Sequence, residues 1–149
     1  MDHVDKEMET RVWQRVQARP AETPKRDNLK PWILAAQENT AAFRNLTLQL
    51  IGKQWEGLRR LETESSRMMH SLRGISALRG EPMKLTPMAA PKDGPRRCLE
   101  KSFHRSRRLW AEMESRCDDP DYGPVFRSLS RRAEDHCAAL AEMIGRLEI

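Results

Sequence analysis

The segment 80-GEPMKLTPMAAPKDGP-95 carries four prolines and two glycines, and no other stretch restricts the fold as much. Proline fixes φ and removes a backbone donor, so no helix runs through this segment. It is also too long for a tight turn. Extended, a stretch of about 15 residues crosses roughly 45 Å, enough to run the length of a helix bundle. Before it, between Pro31 and Leu78, there is no proline, and the alanine, leucine, glutamine and arginine content favours helix. After it, the only strong break is 118-DDPDYGP-124.

These breaks predict four helices. Pro31 suits a first helical turn and Gly52 interrupts, which gives α1 over about residues 31–51 and α2 over about 54–79. The short turn between them makes an antiparallel hairpin. The segment 80–95 is then a crossover, followed by α3 over about 96–117 and α4 over about 121–147, with Asp118 or Asp119 as cap and turn former. Residues 1–30 read as an arm or linker. It holds a short amphipathic helix around Val4 to Val16, with Val12, Trp13 and Val16 as its contacts, before the proline-broken 20-PAETPKRDNLKP-31.

The apolar spacing says how these helices pack. Phe126, Leu129, Ala133, His136, Leu140, Met143 and Leu147 follow one another on α4 at steps of three and four. Leu58, Leu61, Ser65, Met68, Leu72 and Ile75 do the same on α2, and Leu99, Phe103, Ser106, Trp110, Met113 and Cys117 on α3. The α1 series is Ile33, Ala36, Thr40, Phe43, Leu46 or Thr47, and Leu50. Such stripes are what a left-handed bundle buries. The expected fold is all-α: a four-helix bundle over residues 31–149, made of two helical hairpins joined by a long crossover.

Bulk properties narrow the function. At 149 residues the chain is long enough for one core, and no run approaches the roughly 18 apolar residues of a membrane span. The N-terminal MDHVDKEMET lacks the basic start and apolar centre of a signal peptide, so a cytoplasmic protein is expected. Cys98, Cys117 and Cys137 show no CxxC spacing and indicate neither a disulfide framework nor a zinc site. The formal charge is +5, with arginines gathered in 96-RRCLEKSFHRSRR-108 and 127-RSLSRR-132. A nucleic-acid or polyanion surface on α3 and α4 is one reading of these runs; a solvated helix face is the more common one.

The two hairpins also repeat. Leu58-Arg-Arg-Leu61 matches Phe126-Arg-Ser-Leu129, and the match runs without a gap to Leu72 and Leu140. With the crossover between the halves, and with Asp119, Pro120, Val125, Phe126, Leu129 and His136 in the pattern D-P-x-x-x-x-V-F-x-x-L-(x6)-H, residues 32–148 resemble the ferritin-like superfamily, most closely its rubrerythrin-like branch. The resemblance implies a ferritin-like bundle. It also implies two iron or manganese ions, held by one glutamate from each of two helices and Glu-x-x-His from each of the other two.

Carried over residue by residue, that ligand set is nearly gone. The α1 and α3 glutamates, seven residues before Phe43 and Trp110, fall on Ala36 and Phe103. Glu-x-x-His falls on Ser65 and Met68 of α2, and on Ala133 and His136 of α4, so one ligand of six remains. Glu38 and His70 are two residues away, about 200° round the helix. Glu64, His104 and Glu134 are one residue away and at best on the flank. Ala36, Ser65 and Ala133 facing Phe103 and Met68 read as an apolar packed layer, with His136 bonded to Ser65 or to water.

No catalytic signature offsets this. The methionines Met68, Met113 and Met143 could suggest a soft-metal or haem site, but their spacing is that of core. Glu62, Glu64, Glu112 and Glu114 lie beside arginines, and the consecutive residues of 134-EDHC-137 radiate around their helix. The expectation is a bundle that has lost its di-metal centre, holds no cofactor, and is structural or binding rather than enzymatic, with a homodimer as one arrangement. Two alternatives stand beside it. One is an iron- or manganese-dependent oxidoreductase or iron-handling protein using Glu64, His104, Glu134 and His136; the other is a nucleic-acid or polyanion binder through α3 and α4.

Overall fold

The computed structural model describes residues 28–147. The expected short helix of the arm lies outside the described residues. The order is α1 (Lys30–Gln49), a 3-10 turn (Lys53–Trp55), α2 (Gly57–Leu78), α3 (Pro95–Glu114) and α4 (Gly123–Leu147), and no strand occurs among the described residues. Gly52 makes the break between α1 and α2 with φ 128°, a backbone angle that a side chain would strain.

α3 and α4 are shorter than their stripes suggested, and Asp119 shows why. Its carboxylate accepts hydrogen bonds from the Asp121 and Tyr122 amides at 2.9 and 2.8 Å, and its carbonyl accepts one from the Gly123 amide at 2.9 Å. These contacts hold the turn open until residue 123, where α4 begins. Gly123 lies against the Cys117 carbonyl so closely that a Cβ would clash. Arg79, at the end of α2, closes the same turn: its guanidinium is 3.1 Å from Asp119 and lies over the rings of Tyr122 and Phe126.

α1 packs along α2, and α3 along α4, as two hairpins; α1 also packs along α3, and α2 meets α4 more sparsely than these. Residues 79–94 cross from the end of α2 to the start of α3 along α1. Gln37 donates to the Thr86 carbonyl at 2.7 Å, and Asn45 to the Pro91 carbonyl at 3.4 Å. Arg73 donates to the Met83 carbonyl at 3.1 Å, and Met83 and Leu85 pack on the core beneath.

The core is divided. One apolar cluster holds Trp32, Ile33, Ala36, Met68, Leu72, Leu109, Met113, Phe126 and Ala133, among others. The other holds Phe43, Leu46, Leu58, Leu61, Leu99, Leu140 and Met143, among others. Along each helix, buried polar residues fall between the two: Asn39 and Thr40 on α1, Ser65 on α2, Ser102 and Ser106 on α3, and His136 on α4. The bundle therefore has a polar waist.

Candidate functional site

The waist is built by neighbouring turns of all four helices. Asn39 of α1 is 2% exposed. Its side-chain amide donates to Ser106 Oγ at 3.2 Å, and its carbonyl oxygen accepts from Arg105 Nε at 2.8 Å. Arg105 also donates to Ser102 Oγ at 3.1 Å and faces Glu38 at 3.4 Å, so its aliphatic stem lies inward while its head reaches the edge of the bundle. The α1–α3 half of the waist is thus a continuous hydrogen-bonded network.

The α2–α4 half is a single pair. His136 is 2% exposed, and its Nε2 lies 3.0 Å from Glu64 Oε1. The imidazole also stands edge-on to Phe43, with centroids 6.4 Å apart. Burial lowers its pKa below the ordinary histidine value; the bond and charge of Glu64 oppose that, and Arg60 and Arg132 reinforce it. His136 is therefore neutral near pH 7. A carboxylate can only accept, so Nε2 carries the proton and donates it to Glu64.

This pairing departs from the expected partner for His136, Ser65 or water. Glu64 starts one position round the helix from the inward stripe, yet a glutamate is long enough to reach in from the flank. Its side chain keeps 21% exposure, so one part of the carboxylate touches water while another satisfies the imidazole.

The expected apolar layer also changes character. Ala36, Ser65, Met68 and Ala133 are buried, but Phe103 is only half-buried, edge-on to the exposed His104 at 5.7 Å between centroids. α3 is turned so that Cys98, Leu99, Ser102, Ser106, Leu109 and Met113 face inward, leaving Phe103 and Trp110 at the margin. Burying Ser106 against Asn39 and Ser102 against Arg105 completes hydrogen bonds that a buried phenyl ring in their place would leave unmade.

The other candidate residues do not gather. Glu134 and His70 are exposed, and Glu38 is taken by Arg105. Met68 and Met113 belong to one apolar cluster and Met143 to the other. Glu62 pairs with Arg44, while Glu112 faces Arg108 and accepts from the Trp32 indole. In 134-EDHC-137 only His136 and Cys137 point inward, and burial pushes the Cys137 thiol up to about 11.

The waist thus brings one imidazole to one carboxylate, with hydroxyls, an amide and a guanidinium nearby. A ferritin-type di-metal centre needs four carboxylates and two histidines. Of the six corresponding positions here, Ala36, Ser65, Met68, Phe103 and Ala133 offer no carboxylate or imidazole. Among the described residues, no three His, Cys, Asp or Glu side chains come together where they could share an ion. The residues present do not fit two hard metal ions.

Asn39 and Ser102 were not among the residues that the apolar spacing singled out. The signal was their phase, since Asn39 and Ser102 each precede by four a core residue, Phe43 and Ser106. Compared with protein-family models, with curated proteins and with solved structures, the chain gave no match. No described helix is long and apolar enough to cross a membrane.

Proposed function

We propose that the chain is a ferritin-like bundle of the rubrerythrin-like branch in which the metal-holding layer has become a hydrogen-bonded waist, and that it serves as a structural or binding protein. The order of two hairpins about a long crossover supports the fold assignment. The observation that carries the functional reading is the Glu64–His136 pair at 3.0 Å. The inward histidine has its bond from a flanking carboxylate, at a level where the other positions are Ala36, Ser65, Met68 and Ala133.

An oxidoreductase using Glu64, His104, Glu134 and His136 would require His104 and Glu134, both exposed, to turn through the helix they sit on. Metal analysis of the chain purified without chelator tests the reading. Substoichiometric iron and manganese is the expected result, and about two ions per chain would overturn it.

A further inference from the structure

The α2–α4 seam, where contact is sparser than within either hairpin, carries a feature the waist does not use. A groove of about 490 Å³ runs along it, with Met68 and Leu129 in its floor, Arg67 of α2 and Arg132 of α4 on opposite walls, and Ser71 and Ser128 beside them. The groove continues over the outer face of α4 into a second hollow of about 400 Å³, which Arg127, Arg131 and Arg132 line together with a single acid, Asp135.

The charges there are unbalanced. Several arginines outside the groove have carboxylates: Arg44 has Glu62, Arg79 has Asp119, Arg105 has Glu38 and Arg108 has Glu112. Among the described residues, no carboxylate lies within ion-pairing distance of Arg67, Arg127, Arg131 or Arg132. Two acids lie near these arginines among the described residues: Asp135 in the second hollow, and Glu64, which accepts the His136 hydrogen bond. Guanidinium groups on facing helices repel, and the repulsion fits the sparse contact between α2 and α4. An anion between them reverses the sign of that interaction.

The chemistry of the anion follows from the donors. Guanidinium forks match the oxygens of phosphate in pairs, and one tetrahedral phosphate has enough oxygens to engage two forks at once with hydroxyls on the remainder. No aromatic side chain lines either hollow, so the site has no platform on which bases would stack. Recognition rests on the phosphate itself. We propose that the α2–α4 groove is a phosphate-binding site in which Arg67 and Arg132 clamp one phosphate from opposite helices, Ser71 and Ser128 donate hydroxyls to it, and Arg127 and Arg131 receive a second phosphate joined to the first. This rests on the reading of the bundle as a binding protein and names the ligand class.

Calorimetric titration of the full chain at low salt tests it, with inorganic pyrophosphate and a short single-stranded oligonucleotide as the two probes. Pyrophosphate is expected to bind, and Arg67→Gln or Arg132→Gln to weaken it about tenfold. Ser128→Ala, which leaves the charge unchanged, should weaken it about threefold. Arg108→Gln, at an arginine paired elsewhere, should leave it unchanged. Oligonucleotide binding that also weakens in Arg127→Gln and Arg131→Gln, with a steep salt dependence, identifies a polymer as the source of the phosphates; binding of pyrophosphate alone identifies a small phosphate compound. The proposal is overturned if neither probe binds the wild-type chain, or if Arg108→Gln weakens binding as much as Arg67→Gln. Circular dichroism checks that each variant is folded. About two metal ions per chain would overturn the metal-free reading of the waist while leaving this titration to stand or fall separately.

Discussion

Replacing Asn39 by leucine tests whether the polar waist is a network with its own energy or a set of tolerated polar groups. The substitution keeps the branched outline and the number of side-chain heavy atoms, with a larger volume, but removes the acceptor for Arg105 Nε at 2.8 Å and the donor to Ser106 Oγ at 3.2 Å. Ser106 is 1% exposed, so its stranded hydroxyl costs about 1–3 kcal/mol. The Arg105 side chain is 20% exposed and still faces Glu38, so its loss stays near the lower limit for a charged hydrogen bond, about 1.5 kcal/mol. Burying the leucine returns about 1.5–2 kcal/mol. The net is a destabilisation of about 0.5–3 kcal/mol, which for a bundle of this size lowers Tm by roughly 2–12 °C. Adding Ser106→Ala removes the stranded hydroxyl, so the double variant should be about 1 kcal/mol more stable than the two single effects added together. Urea unfolding of the four proteins at pH 7 measures this. Strict additivity would refute the reasoning, because it would mean that Asn39 and Ser106 do not share a hydrogen bond that matters.

Other consequences can be measured directly. Because the folded chain holds His136 below the ordinary histidine value of 6.5, the unfolded chain binds the proton first. The contribution of this residue to stability is thus full above about pH 6.5 and is lost as pH falls towards the folded-state value, by at most about 1.4 kcal/mol per pH unit. The difference in urea midpoint between wild type and His136→Leu should shrink or change in favour of the variant on going from pH 7.5 to 5; a constant difference would contradict a neutral buried imidazole. Asp119→Ala removes two amide caps and the partner of Arg79, and is expected to cost about 2–3 kcal/mol in the same assay. A loss under about 0.5 kcal/mol would mean the turn is held by something else. With Ellman's reagent at pH 8, the half-buried Cys117 should react first, while Cys98 and Cys137, both buried with their thiols pushed up, stay protected until unfolding. Rapid labelling of all three would contradict their placement.

The architecture was legible because it depends on backbone chemistry and repetition. Prolines between residues 80 and 95 and glycine at position 52 mark the breaks, and the steps of three and four on α2 and α4 mark their inward faces closely. α3 was less legible. Its aromatic residues Phe103 and Trp110 draw an apolar stripe one position away from the face that is buried, because hydrophobic spacing gives no weight to serines that pair across the core. The same blindness hid Asn39. The partner of His136 was hidden for another reason: angular bookkeeping treats a helix position as a direction, whereas a glutamate has the length to turn inward from the flank, as Glu64 does. The positions that the resemblance would assign to ligands could be counted from the sequence, but the hydrogen bonds that fill the waist needed coordinates.

The central claim is that this waist is complete without metal. Thermal unfolding with EDTA, and again with about 1 mM Mn(II) or anaerobic Fe(II), tests it most directly. A site of micromolar affinity would add about 4 kcal/mol at a thousandfold excess of ion over Kd, a rise in Tm of roughly 10 °C or more for a bundle of this size. The account predicts that the transitions with chelator and with either metal coincide. A metal-specific rise of several degrees, abolished in His136→Leu and in Glu64→Gln, would contradict it.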